Sequence, residues 1–175
     1  MHIFKPKPWM GLLFGLILIF GLCTLSTAQE KIKISGKGTY AYTERPALSF
    51  DDVEGHIILL SKWEGMNLST GANKFMDHAE VSFISYADYI KGSGPFWGYI
   101  KMSQNGDAVY SKFKGKATTT LSPKGKPIMT FEAEIEIIRG TGQYLGIQGS
   151  MKSKNQMISN TIQMSEWEGE YHIKK

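Results

Sequence analysis

Phe131, Ala133, Ile135 and Ile137 alternate with Glu132, Glu134 and Glu136. Period two sends successive side chains to opposite faces, so the segment reads as a strand with one apolar and one wet face. Along such a strand the glutamates stand about 7 Å apart, too far to share one ion. They read as a solvated row. Similar runs recur at Lys31 to Thr43, His56 to Trp63, Glu80 to Tyr86, Phe96 to Ser103, Ala108 to Thr120, Ile147 to Lys154 and Asn160 to Ile173. Most are rich in aromatic or β-branched residues. Turn-forming stretches separate them, among them Gln104-Asn105-Gly106-Asp107 and Ser122 to Pro127. Helical spacing is nearly absent after Gln29. About eight such strands in hairpin succession predict an all-β fold, a single antiparallel β-barrel whose closure removes exposed edges.

Three segments fit the rhythm less simply. Between Phe96 and Met102 both alternating sets are apolar: Phe96, Gly98, Ile100 and Met102 on one face, Trp97 and Tyr99 with Lys101 on the other. Periodicity leaves open which set faces inward. Asn67 to Asp77 is the least strand-like stretch and is expected to be a loop or one helical turn flanking the barrel mouth. Trp63-Glu64-Gly65 recurs as Trp167-Glu168-Gly169. Each Trp is read as capping the core near a strand end, where Gly permits a bend.

The N-terminus changes the picture of compartment. Lys5 and Lys7 precede the uncharged run Met10 to Leu22, and small residues at Ser26 and Ala28 complete a secretory signal pattern. The apolar run is short of the roughly 20 residues that a membrane span needs. Residues 1–28 are thus expected to be a signal peptide and 29–175 the barrel domain. An uncleaved anchor and lipidation at Cys23 are the weaker alternatives, the second because Leu22 stands where a small residue belongs. The protein is expected to be exported, periplasmic or secreted, with no stable membrane insertion after cleavage. Cys23 is the only cysteine, so the exported domain has no disulfide available to it and relies on burial. Without Lys5 and Lys7 the chain carries 18 basic and 16 acidic residues, a net of +2. These charges are scattered, with no basic block of the kind that binds nucleic acid.

Gly140, Gly142, Gly146 and Gly149 crowd into ten residues. A dinucleotide fingerprint needs Gly-x-Gly-x-x-Gly at a strand-to-helix turn. Here the spacing is one residue too long, and a strand follows in place of a helix. The glycines are better read as corners between strands. Taken with Gly106-Asp107 and Phe113-Lys114-Gly115, the series Gly140-Thr141-Gly142-Gln143-Tyr144-Leu145-Gly146-Ile147-Gln148-Gly149 resembles the small exported barrels of the allene oxide cyclase and dirigent superfamily. Those carry a "GD" strand start, an "F-x-G" strand and a "GGTGxYxGxxG" hairpin. The resemblance covers roughly Gln104 to Ser153, with Arg139 standing where the family hairpin usually begins on a further glycine. It implies a lipocalin-like eight-stranded barrel with a central cavity, often trimeric in the plant members. No catalytic residue of that family can be carried onto a position here.

Candidate chemistry is sparse. Gly-x-Ser-x-Gly is absent. His56, His78 and His172 have unrelated spacings, and no zinc or other metal site is expected. Asp77-His78-Ala79-Glu80 reads as a polar approach to a strand. The expectation is therefore a non-catalytic protein without cofactor that binds a small apolar ligand. Trp63, Trp97 and Tyr99 are the candidate contacts, and methionines such as Met102 and Met129 would make an adaptable lining. Two rival readings remain. One is a cyclase or isomerase, which needs a buried ionisable residue inside the barrel. The other is a structural protein acting as a homo-oligomer, which needs a large exposed apolar face.

Overall fold

A computed structural model describes residues 30–174. The expected signal segment and cleavage site lie outside the described residues. Nine strands run in chain order: β1 (Ile32–Glu44), β2 (Ala47–Phe50), β3 (His56–Ser69), β4 (Glu80–Ile90), β5 (Gly94–Gln104), β6 (Asp107–Leu121), β7 (Pro127–Gly140), β8 (Ile147–Met157) and β9 (Ile162–Ile173). From β3 to β9 each strand pairs antiparallel with the next. β1 pairs with β9 from Ile32↔Tyr171 to Ala41↔Ile162, and with β3 from Gly36↔Ser69 onwards. Eight strands thus close an antiparallel barrel. The extra strand, β2, continues along the first residues of β3, with Ala47 opposite Leu59 and Phe50 opposite His56.

The alternation read from the sequence becomes the two faces of the wall. Phe131, Ala133, Ile135 and Ile137 point inward and are buried. The alternating glutamates outside meet lysines on the neighbouring strands: Lys112 with Glu136 at 3.0 Å, Lys114 with Glu134 at 3.8 Å and Lys154 with Glu132 at 3.9 Å. Such exposed pairs contribute little stability individually. They do keep this side of the barrel wet.

Trp63 and Trp167 both lie well inside their strands and point into the core, away from the ends where capping residues were expected. Gly36 sits opposite Trp167 in the β1–β9 register. A Cβ at Gly36 would lie 2.2 Å from Trp167 Cζ2 and 2.6 Å from the Leu68 carbonyl oxygen. Glycine is therefore what allows the indole to lie flat against the wall.

One end of the barrel is sealed. The β3–β4 connection, Thr70 to Ala79, folds back under the strands and buries Phe75, Met76 and Ala79. This segment was expected at a mouth and instead forms a plug. Phe75 packs edge-on to Tyr144 and Trp167, at ring-centroid distances of 5.5 and 6.1 Å, and lies 5.2 Å from the Tyr171 ring. Asn67 anchors the plug from inside the barrel. Its Nδ2 donates to the Phe75 and Met76 carbonyls, and its Oδ1 accepts from Trp167 Nε1 at 2.9 Å. Asp77 works from the rim, where its Oδ1 accepts the Ser69 N–H at 2.8 Å and its carbonyl accepts from Gln104 Nε2.

The glycine-rich corner meets the same end. Gly142 to Tyr144 make one 3₁₀ turn, and Gly142 and Gly146 have φ of 55° and 80°, which glycine adopts at no steric cost. Thr141 ties this turn to the start of β6. Its N–H donates to the Ala108 carbonyl and its Oγ1 accepts the Ala108 N–H, each at 2.8 Å. Tyr144 then points inward, and its hydroxyl accepts the Met76 N–H at 3.4 Å. The corner is a hairpin that braces the plug.

At the opposite end His56 stands between two carboxylates, with Asp52 Oδ1 2.6 Å from Nδ1 and Asp88 Oδ1 3.0 Å from Nε2. The Asp52 hydrogen bond, with a smaller contribution from Asp88, raises the His56 pKa above its ordinary 6.5 against opposing desolvation. The stabilisation that follows is fully present below pH 6.5 and is lost as pH rises through the folded-state value. Asp52, held below 3.8 chiefly by the same bond, contributes in the opposite sense, and its share disappears as pH falls through its own folded value. Between about pH 5.5 and 8.5 the thermal midpoint is expected to fall further for the natural protein than for His56→Gln. Parallel midpoint curves would show that the pair does not couple to folding.

Candidate functional site

Between the plug and the His56 end the barrel encloses a cavity of about 70 Å³. A buried water needs at least about 10–15 Å³ measured this way, so the space holds roughly five waters or a molecule of comparable size. Its walls come from every side of the barrel, because every strand that closes the cylinder sends alternate residues inward. Tyr40 and Tyr42 come from β1, and Leu59, Ser61 and Trp63 from β3. Ser85, Ala87 and Tyr89 come from β4, and Phe96, Ile100 and Met102 from β5. The lining is completed by Phe113, Phe131 and Met151 with a polar arc of Ser153, Asn155, Gln163 and Ser165.

Trp63 is where the sequence placed a contact, and it occupies the centre of this lining. Its ring lies 3.6 Å centroid to centroid from Tyr42 and stacks on Phe83 at 5.4 Å and 17°. Its indole Nε1 is buried and is the only such side-chain nitrogen or oxygen without a hydrogen-bond partner among the described residues. Trp97 and Tyr99 lie on the other side of the wall. They face outward, 45% and 65% exposed, and the inward set of β5 is Phe96, Ile100 and Met102. The cavity side of this strand is therefore the set that excludes both of those candidates.

Sequence reading missed Tyr42, Tyr89 and the polar arc. For Tyr42 the signal was present, since it follows Ile34, Gly36, Gly38 and Tyr40 on the inner face of β1. The serines and Gln163 gave none, because an inward polar residue breaks the apolar alternation that identifies an inner face.

The ionisable groups lining the cavity are phenols. Burial pushes the Tyr40 pKa up to about 12, offset in part by a hydrogen bond with Ser165. Burial also raises Tyr89, reinforced by the nearby Tyr42 hydroxyl. Tyr42 is raised by burial and partly relieved by Arg45, whose guanidinium stands 4.8 Å from the Tyr42 ring centroid. All three phenols thus stay protonated near neutral pH and present O–H donors. The cavity offers an aromatic wall, neutral donors and one cation at its rim.

This architecture has been seen before. A DUF3224-family protein of unknown function from Shewanella oneidensis MR-1 is similar to this chain at a TM-score of 0.50 and 16% identity, over 83% of this chain and 99% of that one. The pterocarpan synthase dirigent protein is similar at a TM-score of 0.47 and 10% identity, over 99% of both chains. At such identities the likeness is one of fold alone. No family model matches the sequence. No curated protein matches it either.

Proposed function

We propose that the barrel interior binds a small, flat, largely apolar molecule carrying one hydrogen-bond acceptor, after export and without chemical conversion. The observation that carries this reading is Trp63, a residue of the cavity wall whose buried indole Nε1 is left unpaired. An unpaired buried donor costs about 1–3 kcal/mol, and a ligand oxygen placed against it recovers part of that. The aromatic and methionine lining supplies the apolar contact, and the plug makes the far end of the cavity blind. The size of the cavity suits a single ring or a short chain better than a long lipid.

The cyclase or isomerase alternative draws no support from the lining. Its ionisable members are Tyr40, Tyr42 and Tyr89, all displaced upward and so poor general bases near neutral pH.

Benzaldehyde and toluene are nearly the same shape and differ in the acceptor. Titrated against the chain from Gln29 onwards and followed by tryptophan fluorescence, benzaldehyde is expected to bind about tenfold more tightly, the equivalent of ~1.4 kcal/mol. Trp63→Phe removes the N–H and is expected to erase that difference while leaving toluene binding within a few-fold. Calorimetry would check the variant, whose fluorescence signal changes. No saturable binding of either compound would end the proposal.

A further inference from the structure

The outer face of the barrel is divided. From β6 to β8 it carries the lysine–glutamate pairs described above, and Lys37 with Glu166 at 2.8 Å continues them across β9 and β1. Across the middle of β3, β4 and β5 the outward positions hold a cluster of exposed apolar residues, with charged ones above and below it. Register places them in rows: Leu60 beside Tyr86 beside Trp97, and Ile84 beside Tyr99 in the next row. Leu48 of β2 extends the patch through its pairing with Ile58. Tyr86 and Trp97 touch, with ring centroids 4.6 Å apart. Leu60 is 48% exposed, Ile84 53% and Tyr86 37%, in addition to Trp97 and Tyr99.

From these exposures Leu48, Leu60, Ile84, Tyr86, Trp97 and Tyr99 present on the order of 600 Å² of mostly apolar surface, the upper end for the largest patch on a monomer. One partner in a standard interface contributes ~800 Å², of which such a patch is the core. Tryptophan and tyrosine at the centre with charge at the edge is the composition of an interface whose affinity is concentrated in a few anchors. Asp88 borders the patch on the side of the His56 end, opposite Ile58 in the β3–β4 register and bonded to His56. Lys101 and Lys62, the latter paired with Glu64 and Glu44, border it on the side of the plug. Signs are mixed, so an anionic membrane finds no uniform basic rim. A second copy instead offers an apolar area of matching size, so that the aromatic centres cover each other and the paired charges stay at the rim.

We infer that the β3–β4–β5 wall is the interface of a two-fold homodimer of this chain. Two such walls pack sheet on sheet, with Trp97 and Tyr86 of each copy filling the centre. This places Trp97 and Tyr99 in a contact between copies and leaves the cavity on the other side of the same wall. The inference does not depend on what the cavity holds.

Sedimentation velocity on the chain from Gln29 onwards, across a concentration series to about 0.1 mM, tests it. The expected result is a dimer in equilibrium with monomer. Trp97→Glu and Ile84→Lys are each expected to weaken association by about 100-fold or more. Glu134→Lys on the charged wall is expected to leave it unchanged. Both patch substitutions are at exposed positions, and circular dichroism of each variant confirms that the strands persist. A monomer throughout the series, a stoichiometry other than two, or a dimer that survives both patch substitutions overturns the inference.

Discussion

Asn67→Ala is expected to destabilise the protein by about 3–5 kcal/mol, in the range reserved for broken buried networks. Three partners depend on this one amide: the Phe75 and Met76 carbonyls and Trp167 Nε1. Asn67 is fully buried, so water has no ready access to replace them. The Met76 carbonyl keeps the Ala79 N–H, but the Phe75 carbonyl and Trp167 Nε1 lose the bonds to the amide, and each buried polar group left without a partner costs about 1–3 kcal/mol. Asn67→Asp is no rescue, because it keeps the acceptor for Trp167 but loses both donors and buries a carboxylate. The urea midpoint at constant slope is the measurement. A loss below about 1 kcal/mol would mean that the plug holds itself in place without the amide.

Phe75→Ala is the companion prediction, with an expected loss of about 3–5 kcal/mol. Phe75 is buried against three aromatic rings, two from β9 and one from the glycine-rich corner. The hole left by its removal is bounded by Tyr144, Trp167 and Tyr171, which are fixed by the wall and cannot collapse far. The effect also has a functional edge. The cavity loses its blind end, so a bound single-ring ligand is expected to dissociate faster while its contacts to Trp63 survive. Because Asn67 holds the backbone that carries Phe75, the double substitution is expected to cost less than the sum of the two singles. Strict additivity would show that the ring and the amide act on separate parts of the plug.

What the sequence reveals depends on whether a face is wet. β7 was legible because carboxylates fill its outer positions and leave only one set of residues able to face a core. β5 was not, because Trp97 and Tyr99 make its outer face as apolar as Phe96, Ile100 and Met102 make the inner one. The same apolar outer wall that hid the orientation of β5 is the evidence for an interface. The plug was illegible for a different reason. Phe75 and Met76 are buried by tertiary folding of a polar loop, with no periodicity to announce them. β2 is four exposed residues, too short to carry a pattern. Of the cavity itself, Trp63 was within reach of the sequence, and the serines and Gln163 were not, since nothing local distinguishes an inward serine from an outward one.

Closure of the barrel has a kinetic side. The seam between β1 and β9 joins Ile32 to Tyr171, residues from the two ends of the described chain. Contacts this distant along a chain form late, because the loop entropy must be overcome before the pairing returns anything. β1 can pair with β3 as soon as both exist, but its other edge waits until the last strand has been delivered. The wall therefore becomes continuous only once both ends of the described chain are present to meet.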